Sequence, residues 1–348
     1  MHILTTGNLG YIGPVTTRHL RETLPAARLS GMDCGYFADA ATEVGPWPET
    51  ALDTQHFCDV RKVVPEMFRG VDSVVHLAAI SNDPMGKAFE SVTHQVNCEA
   101  SVNIARAAKK AGASRFVFAS SCSVYGFAES APRTESSELN PLTAYARSKV
   151  ETEERLSELA SNDFVITCLR FATACGMSPR LRLDLVLNDF VASAITTNKI
   201  EILSNGEPWR PLINVKDMAR AIEWGVTRDV ANGGEFLVVN AGSDEWNRQV
   251  KELAHAVQER MSGVAVSINP DAQPDKRTYK VDFSMFRSLA PAHQPIHGLE
   301  QTIDELKSGL EAMAFDDADF RNSGLIRLRR LAGLKKAGQI DGDLYWRR

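Results

Sequence analysis

Thr5-Thr6-Gly7-Asn8-Leu9-Gly10-Tyr11-Ile12-Gly13 is the stretch whose reading decides the fold. It follows a short apolar run, Ile3-Leu4, and precedes a helix-like stretch from Val15 to Thr23. Strand, glycine-rich turn and helix in that order make the first half of a dinucleotide-binding βαβ unit. A helix N-terminus offers free N–H groups and partial positive charge to a pyrophosphate. Glycines at 7, 10 and 13 permit the tight turn, close approach of a diphosphate, and close packing of helix on strand. Ordinary βα turns also carry glycine triplets of this GxxGxxG spacing, so a second signal is needed.

Asp33 supplies it. Arg28 to Met32 reads as a short strand that ends in this acid, about twenty residues beyond Gly13. A carboxylate there accepts hydrogen bonds from the adenosine ribose and repels a 2′-phosphate, so NAD is expected rather than NADP. A third short strand, His56-Phe57-Cys58, ends at Asp59, which with Val60 is placed to flank the adenine.

Composition narrows the classes. The 348 residues are 44% apolar and 24% charged, with a formal charge of -5, which gives no basic face for nucleic acid. The six cysteines (34, 58, 98, 122, 168, 175) form no CxxC pair and read as reduced core thiols, with no metal site. No stretch reaches the ~20 apolar residues that span a bilayer, and no signal peptide is read at the N-terminus. A cytoplasmic protein without nucleic-acid or membrane partners is expected.

Apolar and amphipathic segments alternate onward. Ser73 to Leu77, Phe116 to Ala119 and Val165 to Leu169 read as buried strands. Phe89 to Gly112 and Thr143 to Ala160 read as helices. Six strands interleaved with helices predict an α/β fold, a Rossmann-type doubly wound parallel sheet with a smaller C-terminal substrate-binding lobe. The expected boundaries are an NAD-binding domain at 1–176, the lobe at 177–315, and a basic extension at 316–348. Part of 205–240 is a candidate to return to the first domain. In the extension, Arg327, Arg329, Arg330, Lys335 and Lys336 fall at helical spacing. That pattern fits a solvated helix packed on the lobe or a neighbouring subunit, or a dock for a phosphate-bearing partner.

The chemistry concentrates in Tyr145-Ala146-Arg147-Ser148-Lys149, which stacks a phenol and an ammonium one helical turn apart. Lowering a tyrosine from its reference pKa near 10 to about 7 takes roughly 4 kcal/mol, within reach of a lysine and an oxidised nicotinamide together. On its own the pair is common on helix surfaces. The strand at 116–119, however, opens into Ser120-Ser121-Cys122-Ser123-Val124-Tyr125-Gly126. A serine at the carboxyl end of a central strand lies where such sheets bind ligands, and can hold the oxygen that Tyr145 deprotonates.

These elements together resemble the extended short-chain dehydrogenase/reductases, and among them the NAD-dependent nucleotide-sugar epimerases and dehydratases. The resemblance rests on TGNLGYIG, Asp33, Asp59-Val60, HLAA at 76–79, SSCSVYG at 120–126, YARSK at 145–149, LRFATACG at 169–176 and EPWRPLINVKD at 207–217. It covers most of residues 1–310 and leaves out the tail. It implies that Tyr145 is the acid/base, Lys149 its pKa modulator and ribose ligand, and Ser121 the hydroxyl donor. For the cofactor it implies Gly7, Asn8, Leu9, Gly10, Tyr11, Ile12, Gly13, Asp33, Asp59, Val60, Leu77, Ala78 and Ala79, with Tyr145 and Lys149. For a nucleotide-diphosphate sugar it implies Ser81, Asn97, Ser123, Thr173, Arg180, Arg182, Arg210 and Arg277, the last two as diphosphate clamps. A homodimer paired through the helices at 89–112 and 143–160 is also implied.

The chain departs from the family's pattern at two places. The dehydratase branch carries an Asp-Glu pair directly after its active-site hydroxyl residue, where this chain has Cys122 and Ser123. Thr173 stands where UDP-galactose-type 4-epimerases carry an asparagine, so the base is left open among uridine, guanosine, thymidine, cytidine and adenosine. The expected activity is epimerisation, at C4, by transient oxidation to a keto-sugar and hydride return. A 4-keto-sugar reductase uses the same side chains and remains the alternative, and a non-catalytic NAD sensor is a third.

Overall fold

The computed structural model describes residues 1–42, 45–128, 131–269, 272 and 277–347. Glu43 and Val44, between Asp33 and the expected third strand, lie outside them. The chain begins with β1 (His2–Thr6), α1 (Gly13–Thr23), β2 (Arg28–Asp33), β3 (Thr54–Phe57) and β4 (Ser73–His76). Then come α2 (Asp83–Ala88), α3 (Glu90–His94), α4 (Ala100–Lys110), β5 (Arg115–Ser121), α5 (Ala144–Ser157) and β6 (Val165–Phe171). After β7 (Thr173–Cys175), α6 (Val186–Thr197), β8 (Lys199–Ile202), β9 (Trp209–Asn214) and α7 (Val215–Thr227), strand β10 (Phe236–Ala241) returns to the main sheet.

That sheet has seven parallel strands in the order β10-β6-β5-β4-β1-β2-β3. It holds one strand more than the six expected, because Phe236–Ala241 pairs along β6. Parallel strands are covered on both faces, and the residues alternate accordingly. Val74, Phe116, Phe118, Ile166 and Cys168 pack with Ile104, Ala105, Ala108 and Leu156 on one side. Val75, Val117 and Leu169 pack with Leu20, Met218 and Ile222 on the other. The strand order reverses between β1 and β4, so the crevice opens at their carboxyl ends. Gly7 sits there at φ +72, and a Cβ on it would lie 2.5 Å from the Ala78 nitrogen. Only glycine lets the two turns approach so closely.

The helix expected at 89–112 is interrupted. Between α3 and α4 the backbone makes a π-helical turn, Gln95–Glu99, that buries Asn97. A second core forms around α6, α8 (Val250–Arg260) and α10 (Leu299–Ala312), where Leu187, Phe190, Leu253, Val257, Ile303 and Leu306 interdigitate. Small sheets β11-β9-β7 and β12-β8 flank it, with β11 at Asn247–Gln249 and β12 at Ala265–Ile268. Helix α9 (Ser284–Leu289) packs back towards β10 through Phe286.

The C-terminal extension packs on the first half of the chain. Helix α11 (Arg327–Lys336) and the turn after it bring Leu331, Leu334, Ile340 and Leu344 against Tyr36, Ile80, Met85 and Val92. The Tyr36 hydroxyl donates to the Leu344 carbonyl, and the Trp346 indole N–H donates to Cys34 O at 2.6 Å. Basic side chains at helical spacing reveal nothing of this apolar underside, which holds the segment over the crevice.

Candidate active site

Helix α5 starts at the sheet's carboxyl edge because Thr143 caps it, accepting from Ala146 N at 3.1 Å and donating to Asp83 at 2.7 Å. Tyr145 and Lys149 follow on its inner face. Lys149 is buried; its Nζ donates to Ala119 O at 2.7 Å and lies 4.5 Å from the Phe118 ring centre and 5.5 Å from that of Tyr145. Burial pulls its pKa down to about 8, with Glu153 one turn further along opposing that pull. Glu153 accepts from Ser120 Oγ and is gripped by Arg170, whose Nη2 lies 2.6 Å from Oε2. Arg170 also donates to the Tyr125 hydroxyl at 3.0 Å, which in turn donates to Asn240 at 2.7 Å.

Burial pushes the Tyr145 phenol up to about 12, with Asp83 adding to the rise; the Ser121 hydroxyl bond and Arg182 oppose it. The lysine one turn away does not offset that burial, since its ammonium is turned to a backbone carbonyl. In this arrangement the phenol is an acid at neutral pH. A cationic ring beside it is the remaining influence able to bring it into working range. Ser121 Oγ accepts from Ser123 N at 3.1 Å, and the buried Ser123 Oγ has no partner among the described residues.

Two connected hollows meet here. One is a groove beneath α11, lined by Gly7, Gly10, Tyr11, Ile12, Asp33, Asp59, Val60 and Leu77 to Ala79. The Asp33 carboxylate lies at its floor, accepting from Gly35 N at 2.7 Å and Leu9 N at 3.1 Å. Burial raises the Asp33 pKa, and these two N–H bonds oppose the rise. Asp59 is engaged by Arg61, at 2.6 Å, which stacks 3.6 Å over the Tyr345 ring. Asn8, Leu9 and Gly13 do not line the groove. The Asn8 amide donates to Gln55 at 2.6 Å, Leu9 contributes its backbone N–H to Asp33, and Gly13 packs on the Asn8 backbone. The Tyr11 hydroxyl donates to Gly176 O at 2.5 Å, so its role is to tie the glycine turn to the chain after β7.

The other hollow is a cleft of about 490 Å³ that includes Ser81, Ser121, Ser123, Tyr145, Lys149 and Thr173 in its walls. Arg182, Arg210 and Arg277 also face it. Arg182 borders both hollows, donating to Ser81 at 3.1 Å and pairing with Asp184 at 2.9 Å. Arg277 pairs with Asp83 at 2.9 Å, and Arg210 donates to the Arg277 carbonyl.

Arg180 and Asn97 lie elsewhere. Arg180 is buried against Glu49, at 2.6 Å, and donates to the carbonyls of Phe37 and Ala38. Asn97 clamps the backbone of Ile80, accepting from its N at 2.8 Å and donating to its O at 3.0 Å. Sequence reasoning passed over Glu153 and Arg170, and took Arg327 only as one member of the basic run. The i, i+4, i+8 stripe of Tyr145, Lys149 and Glu153 was a usable signal for the first. Nothing in the sequence separated Arg327 from the other cations of that run as the buried one.

A doubly wound sheet, a glycine turn facing a terminal aspartate, and a Ser-Tyr-Lys set at the sheet's carboxyl edge define a dinucleotide-dependent short-chain-dehydrogenase type of enzyme. The sequence pattern of the NAD dependent epimerase/dehydratase family matches residues 3–242, and the chain belongs to that family. It is similar to the dTDP-glucose 4,6-dehydratase of Streptomyces griseus, 26% identical over 316 residues that take in 87% of this chain and 93% of that one. It is also similar to the UDP-glucose 4-epimerase of Bacillus subtilis, 26% identical over 93% of this chain and 98% of that one. Among solved structures, MoeE5 in complex with UDP-glucose and NAD superposes with a TM-score of 0.77 at 21% identity, covering 90% of this chain and 100% of its own. The cofactor is NAD, and the groove suits it: a glycine turn that no Cβ could enter, an acid at the ribose position, and the buried guanidinium of Arg327, one of whose donors has no partner among the described residues. No helix among the described residues is long and apolar enough to cross a membrane.

Proposed function

We propose that the protein epimerises a nucleotide-diphosphate sugar at C4. One observation carries the reading: the Tyr145 phenol, with Ser121 and Lys149, lines an arginine-lined cleft that shares Ile12, Leu77, Ala79, Ser81 and Arg182 with the dinucleotide groove. NAD, when bound, supplies the hydride acceptor and donor. Ser121 and Tyr145 hold the sugar hydroxyl; Tyr145 takes its proton as the carbon is oxidised and gives it back when the carbon is reduced from the opposite face. Lys149, its ammonium turned to Ala119 O, serves as the ligand of the nicotinamide ribose. Arg210 and Arg277 grip the diphosphate, which fixes one end of the substrate while the keto-sugar turns.

The residues after Ser121 support isomerisation over dehydration. Cys122 is buried with its thiol turned to Arg170 O at 3.0 Å, and burial raises its pKa. Neither it nor Ser123 offers the acid and base that water elimination requires. The C-terminal segment over the groove favours a retained cofactor, which separates this reading from a 4-keto-sugar reductase. The reading includes a cytoplasmic homodimer paired through α3, α4 and α5, and light scattering that gives a monomer contradicts that part.

A panel of nucleotide sugars incubated with purified protein and no added cofactor, followed by NMR, tests the activity. Isomerisation is expected for one member of the panel, and a Tyr145→Phe variant that keeps NAD is expected to lose it. Stoichiometric consumption of added NADH or NADPH contradicts epimerisation.

A further inference from the structure

Three arginines approach one another beside the glycine turn. Arg180 is matched by Glu49 at 2.6 Å and Arg182 by Asp184 at 2.9 Å. Arg327, the first residue of α11, is as deeply buried as either, at 1% exposure. Its Nη2 donates to Arg180 O at 2.9 Å and its guanidinium lies 4.4 Å over the Phe37 ring. Among the described residues its Nη1 has no hydrogen-bond partner. A buried cation with an unmet donor is costly, and buried charges in folded proteins are normally matched by an anion. Burial and the neighbouring Arg182 hold its pKa down to about 9; the nearby Asp184, already paired with Arg182, opposes that pull only in part.

Arg327 lines the same groove as Gly7, Gly10, Tyr11 and Ile12, and Tyr11 and Arg182 are among the groups nearest it electrostatically. The adenine end of the groove lies at Asp59 and Val60, and the reacting phenol lies in the adjoining cleft. Arg327 therefore shares the groove wall with the glycine turn that leads into α1. We propose that Arg327 is a ligand of the NAD diphosphate, supplied by the C-terminal extension, which lies beyond the family match ending at residue 242. Guanidinium suits a diphosphate because its parallel N–H pair spans two phosphate oxygens. The same contact ties the extension to the cofactor: Leu331 and Leu344 roof the groove, so the dinucleotide enters when the roof lifts and holds it down once bound.

The test uses the full chain stripped of cofactor, with binding measured calorimetrically for NAD, ADP-ribose, adenosine and UDP. Arg327→Gln is expected to weaken NAD and ADP-ribose alike, by about ten- to a hundredfold, and to leave adenosine and UDP unchanged. Arg327→Lys is expected to recover part of the loss. Equal weakening of adenosine would mean a purely structural role and overturns the proposal. So does weakening of UDP with NAD untouched, or no change at all. Should the glutamine variant fail to fold, hydrogen exchange on the wild-type chain decides. ADP-ribose is expected to protect the amides of 327–336 and adenosine is not; equal protection overturns the assignment. The proposal rests on the family's cofactor and not on the sugar chemistry. Absent isomerisation with normal NAD binding would sink the proposed function and leave Arg327 where it is.

Discussion

Replacing Glu153 with glutamine removes one negative charge from a buried network without changing its shape. Two cations depend on that charge. Arg170 is held by it through Nε and Nη2, at 3.1 and 2.6 Å, with both side chains about 5% exposed. Lys149 is kept from falling below about 8 chiefly by it. Breaking a buried pair by neutralising one partner costs about 3–5 kcal/mol, because the other charge stays buried and unmatched. At ~2.1 cal/mol/K per residue, a chain of this length has an unfolding entropy near 0.7 kcal/mol/K, so Tm is expected to drop by roughly 4–7 °C. The second effect is catalytic. Without the carboxylate the Lys149 ammonium loses its main electrostatic support, and its pKa falls further below its ordinary value. Loss of rate on the alkaline side then begins at lower pH than in the wild type. Calorimetry and a pH profile of kcat read the two effects separately. A Tm within 1 °C of wild type, or profiles that superpose after scaling, would refute the reasoning.

Lys149→Met tests the burial of the ammonium directly. The folded value of about 8 lies below the unfolded 10.5, so between those pH values the unfolded chain binds more protons and stability rises with pH. The penalty is fully present below about pH 8, and its relief amounts to about 3 kcal/mol. Urea unfolding from pH 7 to 10.5 is expected to show that rise in the wild type and to lack it in the variant; parallel curves contradict it. Arg210→Ala is expected to raise KM for the nucleotide sugar by about ten- to a hundredfold with kcat little changed, since a diphosphate grip acts equally in ground and transition states. An unaltered KM in initial-rate assays removes Arg210 from the substrate cleft's function.

The sheet was legible because parallel strands are buried on both faces and write themselves as apolar runs. The glycine turn and Asp33 were legible because backbone geometry restricts what can stand there. Tyr145, Lys149 and Ser121 could be read from helical spacing and from their place at a strand end. Arg180 and Asn97 were less legible: sequence shows a polar residue near the site, but not whether its bonds go to a ligand or to the chain. Arg180 spends them on Glu49 and two carbonyls, and Asn97 on the Ile80 backbone. The place of strand β10, expected only as part of 205–240 returning to the first domain, and of the extension was less legible for another reason. Their pairing with β6 and with Tyr36 and Met85 joins residues far apart in sequence, and no local pattern encodes it.

In the proposed epimerisation, Tyr145 exchanges a proton with a sugar hydroxyl while the hydrogen on the same carbon is held by the bound cofactor and returned. The most direct measurement incubates the protein, without added NAD, with its nucleotide sugar carrying deuterium at C4. The inverted product is expected to keep deuterium at C4. Replacement of that deuterium by solvent hydrogen, or turnover that stops unless NADH is supplied, would contradict it.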